Sequence, residues 1–157
     1  MKGIDNVASR IESTTPSVYL AGPWFTDGQP ERLAKIEQLM NELKISYYSP
    51  RLDGIDLTPD ATEADRNAVF VDNVDHLKRA QLVVAVVDGF DTGTIWETGT
   101  AYGLNIPVAY YGEALAEGTF NVMLAKSGKA VIENMADLEA FLQDPTSDAF
   151  QYTGTIR

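Results

Sequence analysis

The run LVVAVV at residues 82–87 is the feature of this 157-residue sequence that most restricts its fold. A strand with one solvated face alternates apolar and polar residues, whereas an uninterrupted apolar run is typical of a strand covered on both faces. Four more short runs, rich in β-branched or aromatic residues, predict strands at residues 17–21, 46–49, 107–111 and 129–133. The chain is therefore expected to contain a buried, parallel, five-stranded sheet.

Segments with helical periodicity separate these strands. The first is expected to run from about Pro30 to Leu43, because proline is favoured at the first position of a helix. Others are predicted at about residues 62–80, 94–104 and 134–142, and the segment at 62–80 carries an apolar stripe of Ala68, Val71, Val74 and Leu77. Strands that alternate with helices indicate a doubly wound α/β fold of the flavodoxin-like or Rossmann-like kind.

Length and composition predict a single domain. An apolar fraction of 45% over 157 residues is enough for one sizeable core, which we place at residues 17–157. Residues 1–16 mix charged and polar side chains and lack the apolar segment of a secretion signal. We expect them to form a mobile arm. The absence of cysteine is easiest to reconcile with a reducing compartment, so a cytoplasmic location is expected.

Charge and hydropathy argue against two classes of partner. The chain carries 23 acidic and 12 basic residues, a formal net charge of −11, without a cluster of Lys or Arg, so it would repel a nucleic acid. Its apolar runs are far shorter than the roughly 20 residues that span a bilayer, so no membrane contact is expected. A small, weakly charged substrate fits this composition better.

The segments after the strands are where a doubly wound sheet binds ligands. Neither a dinucleotide-binding G-x-G-x-x-G nor a P-loop follows the first strand. Gly22, Pro23, Trp24 and Phe25 follow it instead, and the two aromatic rings either stack on a planar heterocycle or cap the core. The turn-rich stretch at residues 50–65 is either a lid over the site or a plain connection.

The stretch DTGTIWETGTAYG at residues 91–103 holds the candidate nucleophile, Glu97. The positive end of a helix dipole would keep a partly buried carboxylate ionised there, as attack on an anomeric carbon requires. The same dipole favours any acid in a first helical turn, so the position also has a purely structural explanation. Small residues such as Gly93 and Gly99 would let a ligand approach the backbone, and Asp91 could share a proton with a ring nitrogen.

Other catalytic constellations are missing from the sequence. The only histidine, His76, is expected on the solvated side of a helix with Asp72 and Arg79, so a histidine-based triad is not predicted. Neither a G-x-S-x-G motif nor a His, Asp and Glu set with metal-ligand spacing is present. No metal and no other cofactor is expected.

Three segments together resemble the nucleoside 2-deoxyribosyltransferase family. They are VYLAGPWFTD at 18–27, VVDGFDTGTIWETGTAYGLNIPV at 86–108 and FNVM at 120–123, in the order and spacing of the family's signatures. The similarity covers most of residues 17–133, and D-x-G-T-x-x-E-x-G is its most specific part. The resemblance implies transfer of a 2-deoxyribosyl group between nucleobases, as in nucleoside salvage, without a cofactor.

The resemblance also implies roles for individual residues. Glu97 would be the nucleophile, Tyr19 would orient it by a hydrogen bond, and Asp91 would contact the base. Asn121 and Met123 match residues that complete the site of a neighbouring subunit, which implies an obligate homo-oligomer, either a tetramer or a hexamer. The residues expected to line the substrate site are Gly22, Trp24, Phe25, Asn73, Gly93, Asn121 and Met123.

The chain departs from the family on the second helix. Where the family often has aspartate in an Asn-Asp-(Leu or Ile) sequence, this chain has Asp72, Asn73 and Val74. Helical periodicity predicts that Asn73 faces the sheet and the site, with Asp72 on another face. Because a carboxamide cannot protonate a leaving base, that step would fall to Asp91 or to water, and base preference stays open.

The expected reaction is a two-step transfer with retention, in which Glu97 forms an ester with C1' of a 2-deoxy sugar before an acceptor base displaces it. Two alternatives stay open. A deoxynucleoside 5'-monophosphate glycosidase would need small, hydroxyl-bearing phosphate ligands after the first strand, where Pro23, Trp24 and Phe25 stand. A non-catalytic nucleotide-binding module would not need Glu97.

Overall fold

The computed structural model describes residues 16–115 and 119–157. Except for Pro16, the predicted arm at residues 1–16 lies outside them. The elements follow one another as β1 (Val18–Ala21), α1 (Gln29–Glu42), β2 (Tyr47–Tyr48), α2 (Pro50–Asp53), α3 (Glu63–Arg79), β3 (Leu82–Val86), α4 (Thr92–Gly103), β4 (Val108–Tyr111), β5 (Thr119–Phe120), α5 (Val122–Ser127), β6 (Ala130–Ile132), α6 (Met135–Gln143) and β7 (Thr155–Ile156).

The main sheet has five strands in the order β2-β1-β3-β4-β6, and every neighbouring pair is parallel. Strand β3 lies at its centre, with Leu82 opposite Val18 of β1 and Val83 opposite Val108 of β4. All residues of β3 are buried, as the uninterrupted apolar run predicts. The predicted five-stranded parallel α/β fold of flavodoxin-like order is therefore confirmed.

Helices cover both faces of this sheet. On one face, α1 and α6 bury Leu33, Ile36 and Phe141 against the outward side chains of β1, β3 and β4. On the other face, Leu77 of α3 and Ala101 of α4 pack against the alternate residues of the same strands. Within the described residues, no helix is long and apolar enough to cross a membrane.

The predicted apolar stripe of α3 is wrong for most of its length. Leu77 is 1% exposed, but Val74 is only half-buried, Ala68 is exposed and Val71 is 45% exposed. The reason is that α3 borders a cavity instead of lying flat on the sheet, so its apolar side chains find few partners within the chain. A sequence period shows which residues share a face but not what that face meets.

Short elements also differ from the prediction. The stretch at 50–65 contains the one-turn helix α2, and β2 spans two residues where four were expected. Strands β5 and β7 form a second, two-stranded parallel sheet that the sequence did not indicate, and α5 follows β5 directly. Elements of two to six residues carry too few periodic positions to be recognised.

Candidate active site

A cavity of about 360 Å³ lies between α3, α4 and strand β1. Its wall is mostly apolar, with a few polar groups that could orient a ligand, as is usual for small-molecule sites. The residues that line it are Tyr19, Phe70, Asn73, Val74, Leu77, Gly93, Trp96 and Glu97.

The central polar contact of the cavity joins Tyr19 and Glu97. The phenolic hydroxyl group of Tyr19 donates a hydrogen bond of 2.6 Å to Glu97 Oε1, across 78 residues of sequence. Tyr19 is fully buried on β1, so its ring cannot move away, and the bond fixes the direction of the carboxylate. A carboxylate held in this way is suited to attack a carbon atom placed in the cavity.

Burial raises the pKa of Glu97 from its ordinary value near 4.5 to about 7. The loss of hydration is the largest cause, and the negative charge of Asp91 raises the pKa further, while the hydrogen bond from Tyr19 lowers it by less. The helix dipole was expected to keep Glu97 ionised, but burial acts against ionisation by raising this pKa. Helix α4 begins at Thr92, so Glu97 lies in its second turn, where the dipole is weak.

Asp91 is the N-cap of α4. Its Oδ2 atom accepts hydrogen bonds from the Thr94 backbone N–H at 2.9 Å and from the Thr94 hydroxyl group at 3.0 Å. This bonding satisfies a backbone N–H group that the start of a helix would otherwise leave without a partner. The predicted contact between Asp91 and the base stays a prediction, and the capping role is one that the sequence reading did not assign to it.

The turn before α4 has an unusual backbone. Gly89 and Phe90 both have positive φ angles, 78° and 50°, and the second is uncommon for a residue with a side chain. Such conformations persist only where the surroundings hold them. Here Asp88 accepts hydrogen bonds from the backbone N–H groups of Glu113 and Ala114, so the turns after β3 and β4 are tied together.

An ion-pair network extends this tie to α1. Arg32 contacts Asp88 through one guanidinium nitrogen and Glu113 Oε2 through the other, the latter at 3.0 Å. Tyr111 donates a further hydrogen bond to Glu113. Because these side chains are 56 to 81 residues apart from Arg32 in sequence, sequence reasoning had no means of grouping them.

The loop after β1 does not line the cavity. Trp24 is half-buried and packs against the core on the α1 side of the sheet, while Phe25 is 71% exposed and its ring centroid lies 4.9 Å from that of Trp24. Gly22 serves packing, since a Cβ atom there would come within 2.7 Å of Leu33 Cδ2 and 3.1 Å of Val86 Cβ. A substrate-binding role for these three residues stays a prediction.

Asn73 lines the cavity, as the helical pattern predicts, whereas Asp72 lines a separate groove together with Tyr48. The Tyr48 hydroxyl group lies 2.9 Å from Asp72 Oδ2 and 3.1 Å from Asn73 Oδ1. His76 lies on the same side of α3 as Asp72 and Arg79, as expected, but its side chain is only 31% exposed. Its ring is half-buried and stacks on Tyr48 with 3.7 Å between centroids, because β2 brings Tyr48 against this side of α3.

Asn121 and Met123 lie at the start of α5. Asn121 is its N-cap, with Oδ1 accepting a hydrogen bond of 2.9 Å from the Met123 backbone N–H. Both residues are exposed, and Met123 is 74% exposed. Neither of them lines the cavity of its own chain.

Two aromatic residues at the cavity were missed in the sequence. Phe70 of α3 and Trp96 of α4 face each other with 5.6 Å between ring centroids, and they are 54% and 49% exposed. The available signal was that Phe70 and Asn73 share a helical face and that Trp96 adjoins Glu97. Within residues 16–115 and 119–157, no group of three His, Asp or Glu side chains could hold a metal ion.

Comparison with known proteins confirms the resemblance found in the sequence. The family described as "Nucleoside 2-deoxyribosyltransferase" matches residues 18–138. A solved 2-deoxyribosyltransferase from the psychrotolerant bacterium Bacillus psychrosaccharolyticus is 30% identical, with a TM-score of 0.69, covering 80% of this chain and 95% of its own.

A second solved structure agrees in fold. A conserved protein from Enterococcus faecalis V583 is 22% identical, with a TM-score of 0.54, covering 91% of this chain and 82% of its own. No curated protein sequence matches this chain.

Proposed function

Because the chain belongs to the nucleoside 2-deoxyribosyltransferase family, we propose that it transfers the 2-deoxyribosyl group of a 2'-deoxyribonucleoside to a free purine or pyrimidine base through a covalent ester on Glu97. The chain is accordingly a transferase enzyme. The observation that carries the covalent step is the 2.6 Å hydrogen bond that aims Glu97 from the wall of the cavity.

In the first step, a Glu97 carboxylate oxygen forms a bond to C1' while the bond from C1' to the base nitrogen breaks. The electron pair of that bond leaves with the base, and Asp91 or water supplies a proton where the base needs one. In the second step, a nitrogen of the acceptor base attacks C1', the carboxylate is released, and the proton that the acceptor nitrogen carried passes to Asp91 or to water. Two inversions give overall retention, with a transition state of oxocarbenium character in each step.

A 2-deoxy sugar suits this mechanism, since a 2'-hydroxyl group would withdraw electron density from the carbon that becomes positive. Transfer also requires that water stay away from the ester. The apolar wall formed by Phe70, Val74, Leu77 and Trp96 supports this requirement.

The apolar groups left exposed support a homo-oligomer. They include four large side chains that are between 45% and 74% exposed: Phe70, Val71, Trp96 and Met123. A single exposed apolar residue would be unremarkable, but Phe70 and Trp96 line the cavity and Val71 is next to Phe70 on α3, so three of the four lie close together. We propose that a second subunit covers this region and that its Asn121 and Met123 complete the site. A cytoplasmic role in nucleoside salvage fits the cysteine-free composition.

One assay tests the activity. The protein is incubated with thymidine and adenine, and the products are separated by chromatography. We expect deoxyadenosine together with thymine. Thymine without deoxyadenosine, from thymidine or from its 5'-monophosphate, would indicate a hydrolase instead, although none of the cavity-lining residues is a Lys or Arg that could bind a phosphate. No turnover of any deoxynucleoside would indicate a binding module.

The covalent step has its own test. A slow deoxynucleoside substrate and intact-protein mass spectrometry should give a mass increase of one deoxyribosyl group, which peptide mapping should assign to Glu97. The variant Glu97→Ala should give no adduct and lose at least about a thousandfold in kcat, with an unchanged circular dichroism spectrum. Retention of a tenth of the activity would contradict the ester mechanism.

Subunit complementation tests the shared site. Glu97→Ala and Asn121→Ala should each be nearly inactive alone, and co-expression of the two should restore activity, because some hybrid sites then combine an intact Glu97 with an intact Asn121. Co-expression that restores nothing, in a preparation shown to contain mixed oligomers, would mean that each site uses its own Asn121.

A further inference from the structure

Strand β7 meets the rest of the chain beside Asn121, a residue proposed to complete a neighbouring site. The strand pairs in parallel with β5, which directly precedes Asn121. The Arg157 backbone continues this pairing on both sides of Asn121. Its N–H group donates to the Phe120 carbonyl oxygen at 3.1 Å, and its own carbonyl oxygen accepts from the Val122 N–H group at 2.9 Å. Two backbone hydrogen bonds from one residue therefore hold the chain immediately before and after Asn121.

The small sheet that makes these bonds is anchored to the main core. Phe120 is fully buried, and its ring centroid lies 5.7 Å from that of Tyr110 on β4 and 5.5 Å from that of Tyr152. The Tyr152 hydroxyl group donates to the Thr155 carbonyl oxygen at 3.0 Å, which ties the segment before β7 to the strand itself. Both strands of the small sheet are thus connected to β4 through aromatic contacts.

The Asn121 side chain takes its direction from this backbone. Its Oδ1 atom accepts a hydrogen bond of 2.9 Å from the Met123 backbone N–H group, so the carboxamide is fixed relative to the chain that carries it. The side chain is exposed and does not line the cavity of its own chain. Where the carboxamide points therefore depends on the path of the backbone through residues 120–122, which β7 sets.

We propose that β7 is a positioning element of the reaction, which holds Asn121 in the orientation that a neighbouring site requires through the two backbone hydrogen bonds of Arg157. This inference rests on the proposed deoxyribosyl transfer at a shared site and adds to it a residue that does not line the cavity. Arg157 acts through its backbone, so its side chain is dispensable. Loss of the bonds lowers activity because a displaced binding group holds the transition state less well.

Proline substitutions remove these bonds one at a time, because proline has no N–H group. Arg157→Pro removes the donor to Phe120, and Ile156 before it is already in a strand, the conformation that a residue before proline prefers. Val122→Pro removes the donor to Arg157 at the first position of α5, where proline is favoured. Arg157→Ala and Val122→Ala keep both N–H groups and are the matched controls.

The first measurement is kcat/KM for transfer from thymidine to adenine. Each proline variant should lower it about two- to tenfold, the range expected for one hydrogen bond, and the two prolines together about five- to a hundredfold. Both alanine controls should stay within about twofold of the wild type, since they leave the backbone bonds in place. Circular dichroism checks that every variant is folded.

A double-mutant cycle separates positioning from a general loss of structure. The two prolines are introduced together into the Asn121→Ala variant. If β7 acts through Asn121, they should cause no further loss of activity there, because the side chain that they would displace is already gone. A general loss of folded enzyme would instead lower activity by the same factor in both backgrounds.

Subunit complementation gives a second readout. Subunits with both prolines should restore activity when they are co-expressed with Glu97→Ala subunits, because some hybrid sites then combine an intact Glu97 with a correctly held Asn121. The same subunits should restore nothing when they are co-expressed with Asn121→Ala subunits, since neither partner then supplies a correctly held Asn121.

The outcomes separate failure of the proposed function from failure of this inference. If the wild-type enzyme forms no deoxyadenosine from thymidine and adenine, the proposed transfer is wrong. If it does, the inference is overturned by proline variants as active as their alanine controls, by alanine controls as damaged as the proline variants, or by an equal loss in the Asn121→Ala background.

Discussion

Removal of one hydroxyl group should change the pH at which this enzyme works. Tyr19→Phe deletes the donor of the 2.6 Å bond to Glu97 Oε1 and leaves the ring that fills the core. That hydrogen bond lowers the pKa of Glu97, against the burial that raises it to about 7. Because the nucleophile must be ionised, kcat/KM is expected to rise with pH through the Glu97 pKa in the wild-type enzyme, and through a higher pKa in the variant.

The size of the shift follows from the strength of the bond. A hydrogen bond to a charged group contributes about 1.5 to 3 kcal/mol, and one pKa unit corresponds to about 1.4 kcal/mol, so the Glu97 pKa should rise by about one to two units in the variant. At pH 7 the wild-type carboxylate is about half ionised. The variant would be about one-tenth to one-hundredth ionised, a loss of roughly five- to fiftyfold in kcat/KM from this cause alone.

The assay is a profile of kcat/KM between pH 5 and pH 10 with a deoxynucleoside donor. The wild-type limb should have its midpoint near pH 7, and that of Tyr19→Phe at least one unit higher, with part of the lost activity recovered at high pH. Tyr110→Phe is the matched control, since Tyr110 is also buried and its hydroxyl group pairs with Ser127 Oγ instead. An unmoved midpoint in Tyr19→Phe would refute the idea that this bond tunes the nucleophile.

Further predictions concern stability. Between pH 4.5 and 7 the folded chain holds a proton on Glu97 that the unfolded chain has lost, so this residue reduces stability as pH rises. The variant Glu97→Gln should therefore raise the free energy of unfolding by about 3 kcal/mol at pH 8 and by much less at pH 5, as measured by urea titration. An equal gain at both pH values would contradict this reasoning. Phe141→Ala should lower the free energy of unfolding by about 3 to 5 kcal/mol, because Phe141 is fully buried, and a loss under 1 kcal/mol would show that the α6 side of the core is loose. Arg32→Met should lower the free energy of unfolding by about 1 to 3 kcal/mol and reduce kcat, because Asp88 and Glu113 lose the cation that they share. A melting temperature and a kcat equal to those of the wild type would contradict a structural role for this network.

The strand order and the central contact of the site could be read from the sequence because both have strong signals. The uninterrupted run at 82–87 is typical of a strand covered on both faces, and alternation with helices then favours a parallel sheet. Tyr19 and Glu97 follow from the family motifs, and the structure brings them within 2.6 Å across 78 residues.

The rest of the site depends on distances that no local pattern contains. The protonation state of Glu97 is set by how much water the folded cavity removes, which cannot be deduced from the fact that an acid stands near a helix start. The groups that meet at Tyr48 come from β2 and α3, and their meeting depends on how β2 lies beside β1. Trp96 was missed because an aromatic residue on a helix reads equally well as core.

The unfavourable setting of Glu97 has a use in the proposed reaction. A half-buried carboxylate is poorly hydrated, which is why its pKa reaches about 7, and in the ground state the hydrogen bond from the Tyr19 hydroxyl group compensates for part of that loss. When the sugar carbon becomes positive, it places a cation next to this carboxylate in surroundings of low polarity, where opposite charges attract more strongly than in water. The attraction develops with the charge, so it stabilises the transition state more than the bound substrate, and that difference is what accelerates a reaction. An enzyme that hydrated Glu97 better would have a more fully ionised nucleophile at pH 7 and a weaker hold on its transition state.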